Sequence, residues 1–204
     1  MDLNPNSWLL LVKAFIILFV VMDPPGNIPV FIALTKDMRK EERRTELNHA
    51  VIVATILLLL FAFLGKIILN VLGISIDSFM IAGGILLLLI SFDLLRGEHK
   101  YGVTEESGAG VGAVPIGTPM LAGPGAITAV MVIIQSHEDF VTGASVVLFA
   151  ILSAIIATRL VLGQSDRLYD LMGKVGTEVL SRVIGIIVAA IAIQFIGTGI
   201  IGMF

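Results

Sequence analysis

The chain has 204 residues, of which 57% are hydrophobic and 14% charged, and its mean hydropathy is +1.02. Water-soluble domains carry about 25% charged and about 45–50% apolar residues, so this composition excludes an ordinary soluble domain and describes a polytopic membrane protein. The absence of cysteine excludes disulfide and thiol chemistry. A net charge of −3 gives no electrostatic footprint for nucleic acid.

A spanning helix needs about 20 apolar residues, and six such segments are read in chain order. The first covers residues 7–34. The residues before it carry Asp2 and no base, and it runs into Asp-Pro-Pro-Gly, so it is expected to be a membrane segment and not a cleaved signal. At 1.5 Å per residue it would measure about 42 Å, against a hydrocarbon core of about 30 Å. It is interrupted by Met22-Asp23-Pro24-Pro25-Gly26-Asn27-Ile28-Pro29. A polar loop, 35–48, leads to a second span over 49–72 and a third over 76–95. A loop rich in glycine and charge, 96–112, precedes the fourth span, 114–134. That span holds a second interruption, Pro115-Ile116-Gly117-Thr118-Pro119-Met120-Leu121-Ala122-Gly123-Pro124-Gly125-Ala126. The fifth and sixth spans are 141–162 and 178–203.

Each interruption holds three prolines. A proline inside a helix loses a hydrogen bond and clashes with the preceding turn, at about 3 kcal/mol. The expected structure is a helix that stops, unwinds and restarts. Irregular backbone at membrane depth survives only where protein or water satisfies it, so the two stretches are expected to face each other or a cavity.

Lysine and arginine in short loops set orientation. The loop bases are Lys36, Arg39, Lys40, Arg43 and Arg44, then Arg96 and Lys100, then Arg167 and Lys174; loops 73–75 and 135–140 have none. Alternate loops are therefore expected to be cytoplasmic, with both termini outside.

The halves read as a repeat. Pro25-Gly26 aligns with Pro124-Gly125, and a shift of 103 residues matches Gly73 with Gly176, Ser78 with Ser181, Ile81 with Ile184, Ala82 with Gly185 and Phe92 with Phe195. Three spans per half invert the second half. The expected fold is thus a single all-α membrane domain of six transmembrane helices, arranged as two inverted three-helix repeats (7–95 and 113–204, joined by a cytoplasmic linker, 96–112) with broken first and fourth helices. Interrupted segments at corresponding positions point to a transporter's binding site.

A helix restarting after Gly26 would present N–H groups from Asn27 onward, and a second would restart after Gly125, with Ala126, Ile127 and Thr128 in its first turn; helix N-termini attract anions such as a substrate carboxylate. Gly117, Gly123, Gly125 and Ala126 leave little side-chain bulk. Asp23 is the single acid of the first interruption, and an acid at bilayer depth is unfavourable against lipid. It either caps the second half-helix or holds an ammonium, a sodium ion or a proton, and the two roles are compatible. Asn27 is read the same way, as ligand or cap. Thr118 and Thr128 offer hydroxyls, although threonine more often bonds its own helix backbone.

The other polar residues have simpler readings. Asp93 lies near a helix end, Lys13, Lys66 and Arg159 reach toward an interface, and Asp77 and Glu178 favour helix starts. Gln194 fits an interhelical hydrogen bond, and Gly83-Gly84 fits close helix packing. His49, His99 and His137 form no metal pattern, and there is no phosphate-loop, nucleophile-elbow or metalloprotease motif. Neither an enzyme, a cofactor nor a metal is expected.

At the two interruptions, from Met22 to Phe31 and from Gly117 to Thr128, the sequence resembles the MarC family of bacterial and archaeal integral membrane proteins. The six-span layout extends the resemblance over nearly the whole chain. It implies a prokaryotic plasma-membrane protein of a transporter superfamily that includes amino-acid exporters. Some relatives look like carriers of small neutral amino acids such as glycine and alanine, driven by a proton or sodium gradient. The expected substrate-binding residues are Asp23, Pro25, Gly26, Asn27, Thr118, Gly123, Pro124, Gly125, Ala126 and Thr128. A non-transporting membrane scaffold and a passive small-solute channel are the alternatives. Coupling ion, direction and oligomeric state stay open at this point.

Overall fold

The structure, a computed structural model, describes residues 7–97, 121–135 and 139–204. Every element among them is helical: α1 Ser7–Met22, α2 Ile28–Leu34, α3 Lys40–Val71, α4 Ile76–Arg96, α5 Pro124–Gln135, α6 Phe140–Gly163 and α7 Ser165–Met203. By length and composition α3, α4, α6 and α7 can each cross a membrane, and Trp8–Met22 and Pro124–Gln135 are shorter apolar helices. The described residues are those of a helical polytopic membrane protein.

The chain leaves the helix at Met22 and re-enters it at Ile28. Pro24 and Pro25 offer no N–H to continue α1, whereas Pro29 sits in the first turn of α2, where a helix needs none. Asp23 takes a positive φ of 42°. The first loop is shorter than expected. Residues 40–48 are helical, so the second segment starts at Lys40 and not at 49. The Glu42 carboxylate accepts from the Arg39 N–H at 2.9 Å and closes the helix start. At 32 residues α3 is about 48 Å long, so its charged first turns stand clear of the hydrocarbon. The last segment is likewise longer than 178–203. It begins at Ser165 and bends at Gly173, whose φ of 65° interrupts the helix. Gly97 ends α4 in the left-handed conformation, at φ 75°. Most of the linker, from residue 98, and the fourth segment up to residue 120 lie outside the described residues.

The core has a centre and a seam. α5 is the centre: it packs against α1, α3, α4 and α6, and Thr128 to Ile134 are all buried. α4 and α7 form the most extensive helix pair. They run antiparallel, since Gly84 lies against Ala192, Gly185 against Ser91, and Gly199 against Asp77. A Cβ on Gly84 would stand 2.8 Å from the Ala192 carbonyl oxygen, and one on Gly199 2.7 Å from that of Asp77. Only glycine lets the two backbones approach so closely, which is the packing role expected of Gly83-Gly84. Outward-facing Ile52 and Ile56 of α3, Leu152 and Ile156 of α6, and Ile186 and Ile193 of α7 remain exposed, as a lipid-facing surface requires.

Candidate functional site

The first interruption is organised by Asp23, a buried carboxylate between α1 and α2. Its own N–H donates to the Phe19 and Val20 carbonyls at 3.1 and 3.2 Å, finishing α1. Its Oδ1 accepts the Gly26 N–H at 3.1 Å. Its carbonyl accepts the Asn27 N–H at 3.1 Å, and the Pro25 carbonyl accepts that of Ile28 at 3.2 Å. The Asn27 side chain turns back to donate to the Met22 carbonyl at 2.9 Å. The N–H groups of Gly26, Asn27 and Ile28 are therefore taken up within the turn. Asp23 and Asn27 both act as backbone caps in this conformation.

Gly26 explains itself through its neighbours. A Cβ there would collide with the Asp23 carboxylate and stand 2.7 Å from the Ser181 hydroxyl of α7. Asp23 and Ser181 thus flank one point inside the bundle, both buried. Sequence reasoning did not single out Ser181 as a site residue. The available signal was a serine in an apolar helix at the repeat position of Ser78. Pro25 is half-buried beside this group.

The second interruption is built differently. The Gly123 carbonyl accepts the Ile127 N–H at 3.1 Å as α5 begins. The Thr128 hydroxyl donates to the Pro124 carbonyl at 2.9 Å, the local bond that threonine favours in helices. Thr128 also fills the space left by the missing side chain of Gly83, with Oγ1 2.5 Å from where a Cβ would stand. A Cβ on Gly125 would lie 2.5 Å from Leu87 Cδ2 and 3.0 Å from Val21 Cγ1. Gly125 and Ala126 are buried, whereas Pro124 is exposed. Thr118 lies outside the described residues.

The two stretches do meet. Val21, beside the first, touches Gly125 of the second, and Met22, Ile28, Leu121, Ala122 and Ala126 share one apolar cluster. The polar group at Asp23 is joined by Ser181 and not by Thr128, which points at α4. Arg159, expected to reach toward an interface, donates from Nε and Nη2 to Asn48 Oδ1 at 3.0 and 2.7 Å. Among the described residues no group of three His, Cys, Asp or Glu side chains is arranged to hold a metal ion.

The sequence profile of the family described as MarC family integral membrane protein matches residues 8–204. A UPF0056 membrane protein of Methanocaldococcus jannaschii is 41% identical, over 94% of this chain and 96% of its own length. One of Archaeoglobus fulgidus is 38% identical, over 92% and 90%, and UPF0056 membrane protein YvbG of Bacillus subtilis is 32% identical, over 95% of both chains. No solved structure matches.

Proposed function

The chain belongs to the MarC family of integral membrane proteins, and from that premise we propose that it is a secondary transporter of small neutral amino acids such as glycine and alanine. Transport is coupled to a proton or sodium gradient and proceeds by alternating access. The observation that carries this reading is Asp23: a carboxylate buried in the span, on an interruption between two helices, with a hydroxyl from a third helix beside it. Intramembrane acids held in this way mark substrate and ion paths. Asp23 holds the coupling cation or the substrate ammonium. The Gly26 N–H, now bonded to Asp23 itself, is the seat offered to the substrate carboxylate when Asp23 turns to its cation. The interior around Gly26 and Gly125 is too closely filled for a bulky solute, which favours a small one.

The architecture of this reading is six spans in two inverted repeats, with α1 and α2 as a broken first span and α5 as the restart of a broken fourth. The packing of the described helices supports it. Exchanging α1–α2 with α5, α3 with α6, and α4 with α7 maps the α3–α6 and α4–α7 contacts onto themselves. It also maps the α1–α6 contact onto α5–α3, and α4–α5 onto the contacts of α7 with α1 and α2. The α5–α6 contact has no comparably extensive α1–α3 counterpart. The positions of the loop bases support a topology with both termini outside a prokaryotic plasma membrane.

Counterflow of labelled glycine in proteoliposomes tests the proposal, with alanine, serine and leucine as competitors and with sodium and pH gradients varied. Saturable counterflow inhibited by alanine and not by leucine is expected, and only a carrier produces it. Linear flux would make the protein a channel. No flux from folded protein, with any of these solutes, would leave the scaffold.

A further inference from the structure

On the face of the bundle where the loop bases gather, α3, α6 and α7 enclose a cleft of about 570 Å³. Lys40, Arg43, Arg44, Arg159 and Arg167 line it against a single acid, Asp166. Two of the bases are fixed in place. The Arg43 guanidinium donates to the two Asp166 oxygens at 2.8 and 2.9 Å and to Ser165 Oγ at 2.6 Å, and it lies 4.9 Å above the Phe31 ring. Arg159 is held by the neutral Asn48 amide, which leaves its charge uncompensated. Lys40, Arg44 and Arg167 make no ion pair among the described residues. Cations gathered this closely repel one another unless an anion sits among them, and guanidinium forks match the oxygens of a phosphate group.

The cleft is not open to water alone. Leu160 is part of its wall and is 55% exposed. Below it Ile156, Leu152 and Phe149 continue an exposed apolar stripe down α6 at helical spacing. An anionic head bound among the arginines would therefore have a lipid-facing apolar track directly beneath it. We propose that this cleft is a binding site for one anionic phospholipid, its phosphate among the bases and its acyl chains along the Phe149–Leu160 stripe. Basic pockets between membrane helices take head groups of this kind. The site is separate from the Asp23 group and does not rest on the transport reading.

The test is native mass spectrometry of the full chain in detergent, titrated with phosphatidylglycerol, with phosphatidylcholine, and with inorganic phosphate. Wild type is expected to bind a first phosphatidylglycerol saturably and in preference to phosphatidylcholine. Arg44→Gln with Arg167→Gln should weaken that binding about tenfold or more. Lys36→Gln with Lys174→Gln removes bases of the same loops that do not line the cleft, and it should change binding less than about twofold. Equal losses in the two double variants would reduce the effect to diffuse attraction and overturn the site, as would unchanged affinity in the arginine variant. Inorganic phosphate displacing the lipid at equal concentration would make the ligand a free anion and overturn the lipid assignment. Should the arginine variant fail to fold, wild type alone decides: no preference for phosphatidylglycerol over phosphatidylcholine ends the proposal.

Discussion

The two interruptions share a proline and glycine pattern and arrive at different chemistry. At the first, the freed backbone groups close on Asp23, and the glycine makes room for a carboxylate and a hydroxyl. At the second, a threonine satisfies the Pro124 carbonyl, and the glycine makes room for Leu87 and Val21. The same residue type therefore does two jobs: Gly26 admits polar groups into the interior, and Gly125 lets three helices close on apolar side chains. The first interruption carries an acid in its sequence and the second carries none.

Substitutions can break this comparison, and Asp23 is where the largest effect is expected. Asp23→Asn keeps the shape and an acceptor for the Gly26 N–H but removes the charge. Counterflow should fall about thirtyfold or more, the scale of losing one partner of a buried charged pair, while the folded protein still inserts. Gly26→Ala should act in the same direction, because its methyl displaces the Asp23 carboxylate and crowds Ser181. Wild-type counterflow in both variants would leave the polar group without a transport role.

Gly125→Val is next. Gly125 is among the substrate-binding residues expected from the sequence, and on that reading the substitution would abolish binding in a folded protein. The packing changes that expectation. The added methyls meet Leu87 and Val21, and overpacking of this kind costs about 1–3 kcal/mol. The variant should inactivate at lower temperature in detergent, yet the molecules that survive should keep the wild-type KM for counterflow. A raised KM at unchanged thermal stability would place substrate at the second interruption and erase the contrast.

These contrasts also mark what could be read without coordinates. Helix ends governed by proline and glycine were legible: α1 stops before Pro24, and α4 and α6 lie within a residue or two of the hydropathy boundaries. The charged starts of α3 and α7 were not. Lys40–Asn48 and Ser165–Thr177 are too polar for a hydropathy window, yet they hold good helix formers, and tertiary contacts such as Arg43 with Asp166 hold them together. Asp23 was legible because an intramembrane acid is unfavourable without partners. Ser181 and the Thr128–Gly83 contact were not, since both depend on which helix faces which, and apolar helices of similar composition carry little record of that.

A smaller effect is expected at Thr128. Its hydroxyl bonds its own helix and its methyl packs on Gly83, so Thr128→Val removes one local hydrogen bond and retains the volume. Stability should change by about 1 kcal/mol or less, with counterflow kinetics unaltered. A several-fold rise in KM for glycine would show the hydroxyl turning toward substrate in another state.

The smallest effect separates burial from capping. Asp139 makes the same bond at the start of α6 that Asp23 makes before α2: its Oδ2 accepts an N–H three residues on, that of Thr142, at 2.9 Å. Asp139 is exposed, and the bonds from the Thr142 backbone and side chain hold its carboxyl below the usual carboxylate range. A carboxyl whose pKa is lowered on folding stabilises the fold above its unfolded value and loses that contribution as pH falls through its folded one. Asp139→Ala should therefore lower the melting temperature slightly near neutral pH, and the gap from wild type should close as acid protonates the carboxylate. Counterflow at neutral pH should be unchanged, because a cap in water can be replaced by water. If Asp139→Ala impaired transport as strongly as Asp23→Asn, capping a helix would account for both acids, and the buried one would need no role with substrate or ion.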